Sequence, residues 1–218
     1  MGTESIDIST KIKVCNDDLD KDLLEHFLKQ EFIAVDTETR GLVIPRDRLC
    51  LVQIGAPDGT IALVRYTKNA KLPISTKTNL KTLMEAPKPL KVFHFARFDV
   101  AVLKYYLSID VHPIWCTKIA SKLVRTYADR HSLRDLAMEL LGVEMDKSNQ
   151  MSDWARDDLS QSQLEYAAND VKLLVPIYQK IKILLERENL LPLADKLSNF
   201  ISTIGELDLK GWKGIFEH

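Results

Sequence analysis

The sequence predicts an α/β fold, a mixed sheet of five to six strands flanked by helices. Three observations predict it. Short apolar runs such as 32–35 and 49–54 are bounded by polar or turn residues; residues 49–66 read as strand, tight turn, strand; and several longer stretches, the longest from 160 to about 188, repeat their apolar residues at helical spacing.

The elements follow in order. After a polar start, residues 18–29 place Leu19, Leu23, Leu24, Phe27 and Leu28 on one helical face. Residues 32–35 are apolar without alternation, which predicts a strand covered on both faces and therefore central, and Asp36 follows it at once. Residues 49–54 make a second strand, Ala56-Pro57-Asp58-Gly59-Thr60 a turn, and 61–66 a third strand, antiparallel to the second. A short helix runs from Asn79 to Met84, Pro87 and Pro89 mark a break, and then come a strand at 91–95, a helix at 99–107 and a short strand at 113–116. Helices are expected at 117–124, at 132–141 with Ser132 as N-cap and Gly142 as C-cap residue, at 160 to about 188, and from about 193 to 207. An aromatic tail follows, Gly211-Trp212-Lys213-Gly214-Ile215-Phe216, and its Trp212 and Phe216 are expected to dock on the domain or on a neighbouring subunit. No linker composition or repeat divides the 218 residues, so a single domain over 1–218 is expected, with its core at about 30–185 and a C-terminal helix and tail at 190–218.

Composition narrows the function classes. With 45% hydrophobic and 28% charged residues the chain has the make-up of a soluble globular protein with a substantial core. Its apolar runs fall far short of the roughly 20 residues a bilayer span requires. Residues 1–10 contain Glu4 and Asp7 and no apolar segment of the secretory kind, so a cytoplasmic location is expected. Cys15, Cys50 and Cys116 are an odd set, widely spaced and without a C-x-x-C pair, which predicts free thiols, two of them in strands. Proteins that follow long nucleic acids usually present a broad basic surface, so a net charge of -1 predicts that a nucleic-acid site here is local and fits a substrate with few phosphates better than a long polyanion.

Candidate chemistry lies in acidic residues. Side chains alternate along a strand, so Asp36 and Glu38 in Asp36-Thr37-Glu38 share one face at the end of the central strand. Taken alone, such a triplet is expected by accident and ordinarily marks a solvated strand end; two like charges beside a buried strand, however, repel unless a cation lies between them. Tyr166 and Asp170 stand four residues apart in a helical stretch, one turn apart on one face. Asp99 follows the strand at 91–95, where a carboxylate has the ordinary role of facing a helix N-terminus. The order of the three segments is far more specific than any one of them. Four carboxylates supply the oxygen ligands that hard cations take, and two such ions, Mg²⁺ or Mn²⁺, roughly 3.5–4 Å apart activate water on one side of a phosphodiester and stabilise the leaving oxygen on the other. Tyr166, with an ordinary phenol pKa of about 10, is better suited to orienting that water than to removing its proton.

These motifs resemble those of the DEDD exonuclease superfamily, in its tyrosine subgroup and its ribonuclease D group: Val35-Asp36-Thr37-Glu38-Thr39, His94-Phe95-Ala96-Arg97-Phe98-Asp99 and Glu165-Tyr166-Ala167-Ala168-Asn169-Asp170, with further likeness in Asp146-Lys147-Ser148 and Ser152-Asp153-Trp154. The resemblance implies a ribonuclease H-like sheet, two-metal hydrolysis in the 3′→5′ direction, Asp36, Glu38, Asp99 and Asp170 as metal ligands, and Tyr166 as their catalytic partner. Over nearly the whole length the chain is similar to the bacterial nanoRNase C proteins, through Arg46-Asp47-Arg48-Leu49-Cys50, Cys116-Thr117-Lys118-Ile119-Ala120-Ser121-Lys122-Leu123, Arg125-Thr126-Tyr127, Asp129-Arg130-His131 and Leu207-Asp208-Leu209 with Gly211-Trp212. That likeness implies hydrolysis of very short RNA down to dinucleotides, DNA being a possible second substrate, by a ring-shaped homo-oligomer, an octamer the expected form. With the sequence running to His218, no helical nucleic-acid-binding domain of the ribonuclease D kind is expected after the catalytic domain, which agrees with short substrates. Leu42 matches the leucine that the family inserts between two bases, while Arg40 stands where an apolar residue is commoner.

Substrate contacts are expected from Thr37, Leu42, His94, Phe95, Phe98, Arg125 and Arg130, each of which also has a plainer reading. His94 after an apolar strand suits a hydrogen-bonded core position better than a hard-cation site, and Phe95 and Phe98 serve as core or as stacking platforms. Lys118, Lys122 and Arg125, with Arg130, His131 and Arg134 following, contact a phosphate or a partner subunit, or are solvated surface. Two further functions stand beside the short-RNA exonuclease: trimming of structured RNA such as tRNA precursors, and a catalytically silent nucleic-acid-binding scaffold, which has no physical need for four carboxylates and a tyrosine.

Overall fold

The computed structural model describes residues 11–67, 69–70, 72, 77–146, 152–156, 158–212 and 215. Its centre is a six-stranded sheet. The strands are β1 (Lys11–Asn16), β2 (Phe32–Thr39), β3 (Leu49–Gly55), β4 (Thr60–Arg65), β5 (Leu90–Phe93) and β6 (Ile114–Cys116), in the spatial order β1-β4-β3-β2-β5-β6. β3 runs antiparallel to both β2 and β4, while β1 pairs with β4, β5 with β2 and β6 with β5 in parallel, so the sheet is mixed as the sequence predicts.

Alternation along β2 divides the core in two. Ile33 and Val35 join the cluster beneath α1 (Lys21–Phe27), α2 (Asn79–Met84) and α3 (Ala96–Leu107); Phe32 and Ala34 join the one beneath α6 (Gln161–Arg187). Around these lie α4 (Thr117–Val124), α5 (Leu133–Leu136), which passes into a π-helical stretch (Ala137–Leu141), α7 (Leu191–Asn199) and α8 (Ile201–Leu209). Capping boxes fix two of the starts: Ser132 with Asp135 ahead of α5, and Ser160 with Gln163 ahead of α6. None of the described helices is long and apolar enough to cross a membrane.

The structure departs from the sequence reading at element ends. β1 was expected as a polar start; it is an edge strand exposed along most of its length, with Cys15 alone buried, so it lacks the apolar run of an interior strand. All three cysteines are therefore buried free thiols on strands, one more than expected. β2 continues past Val35 to Thr39 because pairing with β3 holds its polar end extended. β5 stops at Phe93, since Phe95 adopts a left-handed backbone (φ 66°), and α3 begins at Ala96 with Asp99 in its first turn. The single helix expected at 193–207 is two, α7 and α8, meeting at Phe200. Trp212, expected to dock on the domain or on a neighbouring subunit, is exposed on the domain with Lys210 Nζ 5.9 Å from its ring centre, and Phe216 lies outside the described residues, as do residues 1–10 and Lys147-Ser148.

One buried charge braces the sheet. Lys91 of β5 has no exposed surface, and its Nζ donates to the carbonyls of Ala86 at 2.5 Å and His112 at 2.6 Å, joining the loops before β5 and before β6. Burial pushes its pKa down, to about 8. Lys91→Met keeps the aliphatic stem and leaves two carbonyls without a donor, so it is expected to lower unfolding free energy by about 2–4 kcal/mol, read from the denaturant midpoint.

Candidate metal centre

The acidic residues meet where β2 passes under α6. Asp36 and Glu38 continue the Phe32–Ala34 face of the strand toward that helix, and Asp170 on α6 descends to meet them. Oxygen atoms from the three carboxylates all lie within 4.8 Å of one another. Small residues permit this approach: Ala167 and Ala168 are buried in the helix contact, and a Cβ on Gly55 would stand 3.1 Å from Val171 Cβ. Asp99 comes from the other face. Thr37, alternating away from Asp36 and Glu38, donates its Oγ1 hydrogen to Asp99 Oδ1 at 2.6 Å and so fixes the fourth carboxylate at the strand's edge. Asp99 stands outside the three-residue cluster yet within electrostatic reach of Asp36 and Glu38.

Electrostatics follow from that crowding. Burial pushes the Asp36 carboxyl up to about 7, only partly offset by the Thr37 backbone N–H. Burial, with the field of Asp36 added, raises Asp170 to about 8 against the opposing hydrogen bond from Tyr166. Glu38 is raised well above its ordinary value by burial and then by Asp36, Asp170 and Asp99, and Asp99 by burial and then Asp36. Four carboxylates that cannot all ionise together in this fold are stable as anions only with positive charge among them. The donors are all oxygen, which suits a hard divalent cation better than zinc or copper. Tyr166, half-buried, has its phenol pKa pushed up by burial and by Asp170, Glu38 and Asp36, so it stays protonated at neutral pH, consistent with an orienting role. Its ring lies 6.0 Å from that of Trp154, which is buried with its indole N–H unpartnered among the described residues. The segment carrying Trp154 is tied down where Gln163 Nε2 donates to Ser152 Oγ at 3.0 Å and Arg65 to the Arg156 carbonyl at 3.1 Å.

The expected substrate residues divide. Leu42 belongs to residues 40–48, which are organised by the Asp47 carboxylate: Arg46 donates to it through Nε and Nη2 at 2.7 and 2.8 Å, and the Val43 N–H at 2.9 Å. Those donors hold Asp47 down to about 2. A Cβ on Gly41 would stand 2.4 Å from Asp47 Oδ2, so the turn favours glycine there, and Leu42 beside it is 82% exposed. Phe95 is also exposed, with Lys118 Nζ 4.1 Å from its ring centre, whereas Phe98 packs against the core. His94 Nδ1 bonds Thr117 Oγ1 at 2.9 Å; because that hydroxyl already donates to the Phe93 carbonyl, Nδ1 is the donor. Burial, with Lys118, pulls His94 down to about 4, so the ring is neutral.

The arginines part company. Arg130 is exposed; Arg125 is 2% exposed and spends its guanidinium on Glu139 (Nε to Oε1 2.9 Å, Nη2 to Oε2), Ser121 Oγ and the Arg130 carbonyl. The expectation of a substrate-gripping Arg125 thus gives way to an internal brace, because an arginine that satisfies this many fixed acceptors keeps no free face. Sequence reading overlooked Asp47 as the organiser of the Leu42 loop, and it overlooked Gln53. A signal existed for the second: Gln53 is the one polar residue in an otherwise apolar central strand.

A six-stranded mixed sheet with clustered carboxylates at the end of its central strand defines the ribonuclease H-like class of nuclease domain. The chain belongs to the 3′-5′ exonuclease family, which it matches over residues 12–186. Among solved structures it is similar to Brucella melitensis NrnC, with 42% identity and a TM-score of 0.88 over 96% of this chain and 100% of that one. That protein has also been seen with bound Mg²⁺ and bound to pGG. Ribonuclease D of Gluconacetobacter diazotrophicus is 30% identical over 166 residues, 76% of this chain and 41% of the relative, and DNA polymerase I of Aquifex aeolicus is 35% identical over 167 residues, 76% of this chain and 26% of the relative. The chain therefore spans well under half the length of these two relatives.

Proposed function

We propose that this chain is a divalent-metal-dependent 3′→5′ exoribonuclease that takes very short RNA, dinucleotides included, to nucleoside 5′-monophosphates. The observation that carries the reading is the Asp36, Glu38 and Asp170 cluster, with Asp99 and Tyr166 beside it, in a chain similar over 96% of its length to a protein seen with bound Mg²⁺ and bound to pGG. Asp36, Glu38, Asp99 and Asp170 would hold two cations. Bound there, the ions would lower the pKa of the attacking water and stabilise the leaving 3′ oxygen. The protein's own part is positional. Tyr166, hydrogen-bonded to Asp170, orients the water for attack on the scissile phosphorus; Leu42 wedges between the two bases; exposed Phe95 offers a face for stacking and Arg130 a charge for phosphate. A ring-shaped homo-oligomer belongs to the same proposal, supported by the exposed apolar side chains Leu193, Leu197 and Phe200 on and beside α7.

Trimming of longer structured RNA is the second reading, favoured by the ribonuclease D relatives. One time course decides. With 5′-labelled RNA of two to seven nucleotides and a long tailed RNA, turnover is expected to be fastest on the dinucleotide, to stop with chelator and to return with Mg²⁺ or Mn²⁺. Faster turnover of the long RNA would establish the second reading, and turnover indifferent to chelator would exclude the metal mechanism.

A further inference from the structure

Gln53 lies in the middle of β3, directly across the antiparallel pair from Asp36, and 0% of its surface is exposed. Its Nε2 points at Asp36 Oδ2 from 3.5 Å, and its Oε1 meets no hydrogen-bond partner among the described residues. An amide can make four hydrogen bonds, and a fully buried one that makes a single long contact destabilises the fold relative to a leucine or methionine at the same place. Such a residue calls for a function, and among the described residues the one group it addresses is a carboxylate of the candidate metal centre.

We propose that Gln53 is a positioning residue of that centre: its amide N–H holds the Asp36 carboxylate in one orientation and leaves the remaining acceptor sites of that carboxylate to a divalent cation. The inference rests on the reading of the four carboxylates as metal ligands. The residue type fits the task. Lysine or arginine would cancel the charge of Asp36 and compete with the cation, and glutamate would add a fifth like charge. Asparagine, one methylene shorter, does not reach, because the glutamine contact is already at its limit of 3.5 Å. A neutral donor on a long arm orients the ligand without discharging it, the part that hydrogen-bonded outer partners play around metal sites generally.

The test compares Gln53→Leu, Gln53→Met and Gln53→Asn with the wild-type protein and with Asp170→Asn. Mn²⁺ affinity is read by electron paramagnetic resonance, with melting of the metal-free protein and turnover against Mn²⁺ concentration alongside. All three Gln53 variants are expected to bind Mn²⁺ roughly 10–100-fold more weakly. The Mn²⁺ needed for half-maximal turnover rises in step, most of the rate returns at saturating Mn²⁺, and Gln53→Leu melts no lower than wild type. Wild-type affinity in Gln53→Leu and Gln53→Met, with Asp170→Asn impaired, would overturn the role of Gln53 and leave the metal centre standing. Lowered melting with affinity retained in the folded protein would make Gln53 a core residue only. Equal Mn²⁺ binding by wild type and Asp170→Asn would remove the metal centre and this inference together.

Discussion

Asp170→Asn is expected to slow hydrolysis of a short RNA by roughly 10³-fold or more at saturating Mg²⁺ while raising the melting temperature of the metal-free protein. Both effects have one source. The cluster brings an Asp170 oxygen within 4.8 Å of ligand oxygens of Asp36 and Glu38, and the carboxamide keeps the volume while removing a charge a cation needs. Metal stabilisation of a phosphodiester transition state is worth several kcal/mol, and each ~1.36 kcal/mol is a factor of ten in rate. In the absence of metal the same charge is a liability, because burial and Asp36 raise the Asp170 pKa to about 8. Asp36→Ala should lose activity to the same degree. Single-turnover kinetics and scanning calorimetry on the same samples separate the two effects: if Asp170 were structural only, activity and melting temperature would fall together. Full turnover by either variant with metal supplied would end the assignment.

Legibility in the sequence tracked how local each physical cause is. The central strand declared itself because Phe32, Ile33, Ala34 and Val35 are apolar on both faces, and the helix start at Ser132 because a capping box is a four-residue event. β1 did not, because its pairing with β4 leaves Ile12 and Val14 exposed, and nothing in a half-polar segment announces a partner lying 49 positions further on in register, Lys11 against Thr60. That Asp36 and Glu38 share a face is a rule of strands and was legible; that Asp99 approaches from the opposite layer and is held by Thr37 depends on how α3 packs, which no spacing encodes. Arg125 was misjudged for the same reason. Its place among cationic residues on a helix suggested an open surface, but Glu139, fourteen positions away, folds back and takes its guanidinium.

The second large effect is a coupling of stability to pH that a divalent cation reverses. Asp36 and Asp170 have folded pKa values raised to about 7 and about 8, against about 4 in an unfolded chain, and Glu38 and Asp99 are raised in the same direction. Between those limits the metal-free native state binds more protons than the unfolded state, so their contribution is complete below about pH 4 and is lost as pH rises through 7 to 8. Other groups restrict where the effect is clean. His94, held down to about 4, adds stability as pH rises toward its unfolded value near 6.5 and is flat above it; Lys91, held at about 8, begins to add stability only from pH 8 upward; Asp47, held at about 2, is already flat. Between pH 6.5 and 8 the acidic cluster should dominate. The melting temperature of metal-free protein is expected to fall there by several degrees, each 1 kcal/mol being worth roughly 2–4 °C in a domain of this size. Divalent cations take only deprotonated carboxylates, so the rise in melting temperature on adding Mn²⁺ should itself grow across the same interval. Asp36→Asn combined with Asp170→Asn should flatten both curves. A melting temperature that climbs from pH 6.5 to 8 without metal, or a Mn²⁺ shift independent of pH, would mean that the carboxylates are not the mutually repelling, cation-seeking group their geometry describes.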